Sequence, residues 1–293
     1  PSDAFEIGEL EIQRANIAEM KATFDFDQLD DQTKLSWRLA EYELQRAEAA
    51  FPYRHYGYVF NQMFGVQSGI PAFLINQHKI TSASDAEAYI SRLVGVTGYL
   101  GQNVENAKAA AAMGIQPPAF VYDYVLSDAN GVITGYPFGD AEPGEGDSPL
   151  MADFRSKVQA LADNGTVSAE EAEDLNTRAA AALKSAVGPA YEAAIAVLTA
   201  QQAVATTDDG AWKFPDGEAY YNQRLAQMTT TDLTADEIHQ IGLDEIDRIH
   251  VEMQAIMDQV GFEGSLKDFF EFMRTDPRFY KPETEEGKAE YLA

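Results

Sequence analysis

Apolar residues recur every three or four positions through most of the chain, which is the spacing of one face of an α-helix. Residues 32–50 show the pattern clearly, because Leu35, Leu39 and Tyr42 share this spacing before Pro52 ends it. Alternating, strand-like segments are few. The pattern therefore predicts an all-α fold made of long helices in a multi-helix, bundle-like array.

Capping signals predict where several of these helices begin. Three capping boxes, each a Ser or Thr followed three residues later by Glu, are Ser84 with Glu87, Ser168 with Glu171, and Thr234 with Glu237. Ser148-Pro149 predicts another start, since proline is well tolerated in a first helical turn. Gly188-Pro189 is expected to break the helix that follows Ser168, because proline lacks a backbone donor.

The clearest strand signal lies at residues 120–136. Aromatic and β-branched residues at 120–126 and 132–136 flank Asn130-Gly131, a dipeptide typical of hairpin turns. A helix is at least as well supported, because Pro118 suits a first helical turn. The fold is thus expected to contain at most a minor β-hairpin near 120–136.

Two irregular stretches divide the chain. Residues 135–148 combine four glycines, two prolines and four acids, and predict an exposed acidic loop in which Asp140, Glu142, Glu145 and Asp147 are solvated or hold a cation weakly. Residues 206–217 form the second stretch, rich in Asp-Gly turn chemistry. We therefore expect an N-terminal helical region at 1–205 and a further helical segment at 206–293.

The chain is strongly acidic, with 21 Lys and Arg against 48 Asp and Glu and a net charge of −27. Such a surface repels phosphate, so nucleic-acid binding is not expected. Spread-out acidic charge indicates a well-solvated surface, with steering of cationic peptides as the alternative. The absence of cysteine excludes disulfides and a Cys nucleophile. The apolar runs are short and broken, so no transmembrane segment is expected.

Metal-ligand patterns are weak. The four histidines are His55, His78, His239 and His250, and none begins an H-E-x-x-H motif. Asp236 and Asp247 each precede a histidine by three residues on one predicted helix, eleven residues apart. The helical rise separates the two pairs by about 16 Å, whereas a two-metal centre needs about 4 Å. We expect local ion pairing, with metal binding through an outside ligand as the alternative.

Glu245 interrupts an apolar stripe on the helix predicted at 235–260. The stripe contains Ile238, Ile241, Ile246, Ile249, Met253, Ile256 and Val260. A carboxylate on a core-facing stripe must find a partner or shift its pKa. We expect Glu245 either to form a buried pair with an Arg of another helix or to line a substrate channel. No nucleophile elbow or phosphate loop is present, so no catalytic residue is predicted.

Aromatic residues surround a second predicted turn. Trp212 precedes, and the adjacent Tyr220 and Tyr221 follow, the turn sequence Pro215-Asp216-Gly217. Two adjacent tyrosines could offer stacking surface and phenolic hydrogen bonds to a ligand. Alternatively, one tyrosine packs and the other is a surface residue. The hydroxyls of residues 229–231 could cap a helix or bind a peptide backbone.

Several segments together resemble the DUF885 family, large bacterial proteins related to gluzincin-type zinc peptidases. The matching segments are FPYRHYGYVFNQMFGVQSGIPAFLINQHKI at 51–80, the predicted helix at 84–121, W-x-x-P-x-G-x-x-Y-Y at 212–221, T-T-T-D-L-T-x-x-E-I-H at 229–239, and D-P-R-F-Y at 276–280. Their order and spacing carry the resemblance, which covers most of the chain from about residue 30 onward.

The resemblance implies a peptidase-like all-α architecture with a deep channel between helical lobes. It also implies that an H-E-x-x-x-G-H-H type zinc motif lies in a C-terminal half, which this chain lacks, so zinc is implied only for the complete protein and no metal ligand is assigned here. This half would supply channel wall and substrate contacts. The candidate contacts are Trp212, Asp216, Gly217, Tyr220, Tyr221, Thr230, Thr231 and Glu245.

The resemblance further implies a location and partners. Family members are often secreted or lipid-anchored, so we expect the periplasm or cell envelope, with an anchoring cysteine upstream of Pro1. The expected partners are the C-terminal half of the same polypeptide and a peptide substrate. This chain alone is expected to be inactive.

The chain end bears on these expectations. Residues 284–293 look like the first turns of a helix, with Glu285 and Glu286 at its positive end, and then stop without a terminating signal. We therefore expect the polypeptide to continue. The alternatives are a non-catalytic envelope lipoprotein that binds peptides or a protein partner, and a helical scaffold that is complete at 293 residues.

Overall fold

The computed structural model describes residues 2–140, 142–143 and 146–293. Within them all regular structure is helical, apart from an isolated bridge between Tyr136 and Asp147, so the predicted all-α fold is confirmed. The chain forms two compact units, Pro1–Gln223 and Arg224–Ala293.

Twelve α-helices follow one another along the described residues. They are α1 (Asp3–Thr23), α2 (Asp31–Ala50), α3 (Val66–Asn76), α4 (Ala83–Ala112), α5 (Ala119–Val132), α6 (Pro149–Asp163), α7 (Ala169–Ala182), α8 (Gly188–Gln202), α9 (Gly217–Thr229), α10 (Ala235–Gln259), α11 (Leu266–Thr275) and α12 (Glu285–Leu292). The boundary between the two units falls within α9.

Helix α4 lies at the centre of the first unit. Its buried stripe, Tyr89, Leu93, Val96 and Leu100, follows the three- and four-residue spacing of one helical face. Helices α3, α6, α7 and α8 all pack against it. The result is one continuous apolar core that fixes the relative positions of α3 and α4.

Residues 119–132 form helix α5, so the alternative of a hairpin there is wrong. The reason is burial. Five residues at helical spacing face the core, namely Val121, Tyr122, Val125, Ala129 and Val132. Packing of this face overrides the local turn preference of Asn130-Gly131, since tertiary contacts outweigh weak local propensity.

The predicted capping residues are correct at two helices and wrong at a third. The boxes at Ser168 and Thr234 form as predicted, each with its reciprocal glutamate. Helix α4 instead begins after Ser82, whose hydroxyl accepts from the Asp85 backbone N–H, so Ser84 lies inside the helix. Hydrogen bonds from Thr81 and Ser82 lower the pKa of Asp85 to about 2, which keeps this capping carboxylate ionised.

The helix does not break at Gly188-Pro189, contrary to the prediction. A π-helical segment, Leu183–Val187, joins α7 to α8, and the Gly188 N–H donates to the Leu183 carbonyl. The wider turn absorbs the proline within a continuous helix. By length and composition alone this helix, Ala169–Gln202, could cross a membrane, but half of its most apolar window is buried inside the protein. That burial is what a core helix shows.

The acidic loop is anchored at both ends rather than fully exposed. The Tyr136 N–H donates to the Gly146 carbonyl at 2.9 Å, and the Ser148 N–H donates to the Tyr136 carbonyl at 2.8 Å. Asp147 pairs with Arg155 of α6. Asp140 and Glu142 are exposed as predicted, whereas Glu145 lies outside the described residues.

In the second unit, a small aromatic cluster forms on α11 and the segments that flank it. Rings of Phe262, Phe269, Phe272 and Phe279 lie with centroids 5.0–6.1 Å apart. Gly261, at φ 67°, follows the end of α10, in agreement with the helix predicted at 235–260. Thr284 caps α12, which is the helix predicted at 284–293.

Candidate functional site

A tight turn carries the first group of predicted site residues. A short 3₁₀ helix, Ala211–Lys213, leads through Pro215 and Asp216 into α9, which begins at Gly217. Asp216 has φ 51°, in the left-handed region. A Cβ on Gly217 would lie 2.2 Å from the Ala211 carbonyl oxygen, so only glycine fits. The W-x-x-P-x-G spacing therefore encodes a specific backbone conformation.

An aromatic cluster holds this turn in place. Phe214 is buried, with its ring centroid 5.7 Å from Tyr56, 5.8 Å from Tyr58 and 6.0 Å from Tyr220. The Tyr56 hydroxyl donates to the Pro215 carbonyl at 2.8 Å. Sequence reasoning noted residues 51–58 and 212–221 separately, but nothing local in either segment predicts that they pack together.

The buried phenols of this cluster stay protonated. Burial and the nearby Asp216 carboxylate raise the pKa of Tyr56 above its ordinary value. Burial also raises the pKa of Tyr58 to about 12. Both hydroxyls are therefore neutral near pH 7, and that of Tyr56 positions the turn through its hydrogen bond to the Pro215 carbonyl.

The turn presents two aromatic side chains to solvent. Trp212 is 69% exposed and Tyr221 is 49% exposed. Tyr220 points the other way and packs against Tyr53, with ring centroids 5.6 Å apart. The alternative in which one tyrosine packs and its neighbour is a surface residue thus describes the structure. The indole of Trp212 lies against Gly210, where an added Cβ would meet Nε1 at 2.0 Å.

The remaining predicted residues belong to the second unit and their polar groups are engaged locally. The Thr231 hydroxyl lies 2.8 Å from that of Thr229, and the Thr230 hydroxyl donates to the Thr229 carbonyl at 2.7 Å. Thr230 has φ 56°. These contacts stabilise the connection between α9 and α10, in agreement with the capping alternative.

Glu245 is not buried against an Arg of another helix, so that expectation is wrong. Its side chain is 53% exposed and pairs with Arg248 of its own helix at 2.8 Å. Ile241 and Ile249, on either side of it along the stripe, are exposed as well. An Arg one turn away is the nearest partner that a helical carboxylate can reach. A role for Glu245 in substrate contact remains a prediction.

The histidines do not assemble a zinc site from the described residues. His55 Nε2 lies 3.1 Å from Asp3, but the Arg54 guanidinium already occupies that carboxylate. His78 is buried and contacts Arg92 and the Asp85 carbonyl. No group of three or more His, Cys, Asp or Glu lies close together in this part of the chain. The residues present therefore do not fit zinc.

The two Asp-His pairs of α10 do not form the expected ion pairs. Among the described residues, neither His239 nor His250 lies within ion-pairing distance of a carboxylate. Asp is short, and at a three-residue spacing its carboxylate does not reach the imidazole. Both histidines are exposed.

The fold and this aromatic turn define a helical protein that displays a rigid aromatic surface without grouped metal ligands in its described part. Residues 1–293 match the family described as "Bacterial protein of unknown function (DUF885)", and the chain belongs to that family. No curated protein matches it.

A solved structure shares the fold. The chain is similar to "The crystal structure of the putative lipoprotein from Colwellia psychrerythraea", with a TM-score of 0.77 and 24% identity. The match covers 99% of this chain and 49% of that chain. The chain thus spans about half the length of the solved structure that it resembles.

Proposed function

We propose that this chain is the N-terminal half of a zinc-dependent, peptidase-like protein, and that it supplies channel wall and substrate contacts. The zinc would be held by residues outside this chain, because the described histidines do not fit a zinc site. The family membership and the half-length match to a larger helical protein support this proposal.

The exposed aromatic pair at the turn is the observation that carries the proposal. Trp212 and Tyr221 project into solvent from a backbone that the Tyr56–Pro215 hydrogen bond and Gly217 hold fixed. Exposed aromatic side chains on a rigid support lose little conformational entropy on binding. An indole stacks on apolar or planar groups, and a phenol donates to a peptide carbonyl.

An envelope location forms part of the proposal. The similar solved protein is described as a lipoprotein, which supports a place in the cell envelope. A lipid anchor through an upstream cysteine and residence in the periplasm are the finer parts of the same proposal.

Tryptophan fluorescence tests the substrate contact. Trp37 and Trp212 are the two tryptophans of the chain, so Trp37→Phe leaves Trp212 as the single reporter. Titration with a casein digest is expected to change Trp212 emission in a saturable way. Tyr221→Ala should weaken binding by about fivefold or more, as loss of an interface aromatic does.

The matched control is Tyr124→Ala, which removes a tyrosine that is 61% exposed on α5, outside the turn. It should leave the titration unchanged. The proposal is contradicted if Trp212 emission shows no saturable change, or if the two alanine variants weaken binding equally.

The second candidate is a non-catalytic envelope lipoprotein that binds peptides or a protein partner. The description of the similar solved protein as a lipoprotein favours it. Both candidates predict peptide binding at the turn. They differ in the polypeptide that follows Ala293, where an intact H-E-x-x-x motif with a downstream glutamate is expected of the peptidase. Mass spectrometry of the native protein determines that segment directly.

A further inference from the structure

An open groove lies between α3 and α4, away from any residue assigned above. It has a volume of about 680 Å³, within the range of small-molecule sites. Buried Ile70 and Val96 form its floor, while the rings of Phe73 and Tyr99, both about half exposed, form its walls. The lining is apolar along most of its length.

Two glycines keep this groove open. Gly69 of α3 and Gly95 of α4 line it, and a Cβ added to either would meet no atom within 4 Å. Glycine inside a helix costs about 1 kcal/mol relative to alanine. Packing within the protein does not account for that cost, because the space above both residues is empty. At Gly69 and Gly95 this open space belongs to the groove, so a bound molecule can approach the backbone there.

One end of the groove carries a cation. Arg92 lines it beside the Ser91 hydroxyl, and Arg92 forms no ion pair with a carboxylate among the described residues. Its guanidinium donates to His78 Nδ1 at 2.5 Å, while His78 Nε2 donates to the Asp85 carbonyl at 3.0 Å. This geometry requires a neutral imidazole. Burial, with Arg92 and Lys157 nearby, lowers the pKa of His78 accordingly.

The position of Arg92 is fixed by these contacts. The His78 ring also packs against Tyr89, with centroids 4.9 Å apart, and Arg92 lies over the Phe73 ring at 5.6 Å. Nη1 of Arg92 makes the bond to His78, and its Nε and Nη2 donate to no other described residue. In a chain of net charge −27, a preorganised guanidinium without a carboxylate indicates an anion-accepting position.

We propose that the α3–α4 groove binds a single-chain fatty acid, with its carboxylate on Arg92 and Ser91 and its alkyl chain over Gly95 towards Tyr99. Ser91 and Tyr99 are eight residues apart, which spans about 12 Å along the helix and suits a medium-length chain. Apolar walls bury the chain, and the guanidinium pairs with the carboxylate. This inference is independent of the function proposed for the aromatic turn.

Isothermal titration calorimetry of the full chain with decanoate tests the proposal, with decan-1-ol and decylamine as probes of equal chain length. Decanoate is expected to bind at one site per chain. The two probes that lack a carboxylate should bind at least about tenfold more weakly, as loss of a charge-assisted hydrogen bond predicts. Equal affinity of decan-1-ol and decanoate would overturn the role of Arg92.

Two pairs of variants locate the site. Gly95→Leu places a side chain in the groove and should abolish decanoate binding, whereas Gly98→Leu, at a helical glycine that also faces open space but does not line the groove, should leave it unchanged. Arg92→Gln should weaken binding by about tenfold, and Arg92→Lys should retain most of it. Thermal unfolding of each variant verifies that it is folded.

Three results would overturn the proposal. The first is an equal effect of Gly95→Leu and Gly98→Leu, which would show that decanoate does not bind in the groove. The second is unchanged affinity in Arg92→Gln. The third is tight binding of N-acetyl-Leu-Phe without binding of decanoate, which would identify the groove as a site for a peptide C-terminus.

Discussion

The aromatic turn and the α3–α4 groove both depend on glycine, but for opposite reasons. At the turn, Gly217 is required because the Ala211 backbone occupies the place of a side chain. In the groove, Gly69 and Gly95 face empty space and nothing in the protein requires them. A glycine enclosed by backbone is required by the fold, whereas a helical glycine facing open space, such as Gly95 or Gly98, can accept a side chain without a clash.

The polar groups of the two regions differ in the same way. At the turn, the Tyr56 hydroxyl is satisfied by a backbone carbonyl, and the cluster is complete without a ligand. In the groove, Arg92 has a histidine and an aromatic ring beside it but no carboxylate among the described residues. Only the groove leaves a positive charge that an anionic ligand would neutralise.

The largest expected effect is on Gly217. Gly217→Ala would place a methyl group 2.2 Å from a backbone oxygen that cannot move alone. We expect the free energy of unfolding to fall by about 2–3 kcal/mol, measured by urea denaturation followed by circular dichroism. An unchanged midpoint would show that the turn is not constrained as described.

A smaller loss is expected at Tyr56. Tyr56→Phe removes the hydrogen bond to the Pro215 carbonyl and should lower the free energy of unfolding by about 1 kcal/mol. Tyr58→Phe is the matched control, because no hydrogen bond of the Tyr58 hydroxyl to another described residue is found. A loss of equal size in both variants would contradict the positioning role of Tyr56.

Two helical glycines of α4, Gly95 in the groove and Gly98 outside it, should respond with the opposite sign. Gly95→Ala and Gly98→Ala should each raise the free energy of unfolding by up to about 1 kcal/mol, because alanine favours a helix and meets no clash. The same urea titrations measure this. Destabilisation by Gly95→Ala would mean that the groove closes on itself in solution, and the contrast with Gly217 would fail.

No effect is expected from zinc on this chain alone. After dialysis against zinc chloride, elemental analysis should find no stoichiometric metal, and casein should not be hydrolysed. The described histidines are engaged by Asp3, Arg92 and the Asp85 carbonyl or stand apart on α10. One tight zinc per chain would refute the assignment of the metal to residues outside it.

Local sequence signals predicted local structure well. The capping boxes at Ser168 and Thr234 formed, whereas at α4 the neighbouring Ser82 took the N-cap position predicted for Ser84. Signals that compete with packing failed. The hairpin dipeptide within α5 gave way to a buried helical face, and Gly188-Pro189 was absorbed by a π-helical turn.

The candidate site was predicted in its parts but not in its assembly. The spacing from Trp212 to Tyr221 indicated a turn with exposed aromatics, and the structure has one. The contact with residues 53–58 depends on a chain separation of more than one hundred and fifty residues, as in the Tyr56–Pro215 bond. No local sequence motif predicts the groove, because only the folded structure shows that Gly69 and Gly95 line a common open space.

The π-helical segment between α7 and α8 determines which face of α8 is turned towards the core. The stripe of α8 that faces the core, which includes Tyr191 and Leu198, is in register because the wider turn accommodates one additional residue. Removing a single residue from Leu183–Val187 would rotate the side chains of α8 by about 100° around the helix axis. The number of residues in this helix is therefore as constrained as the identity of any of them.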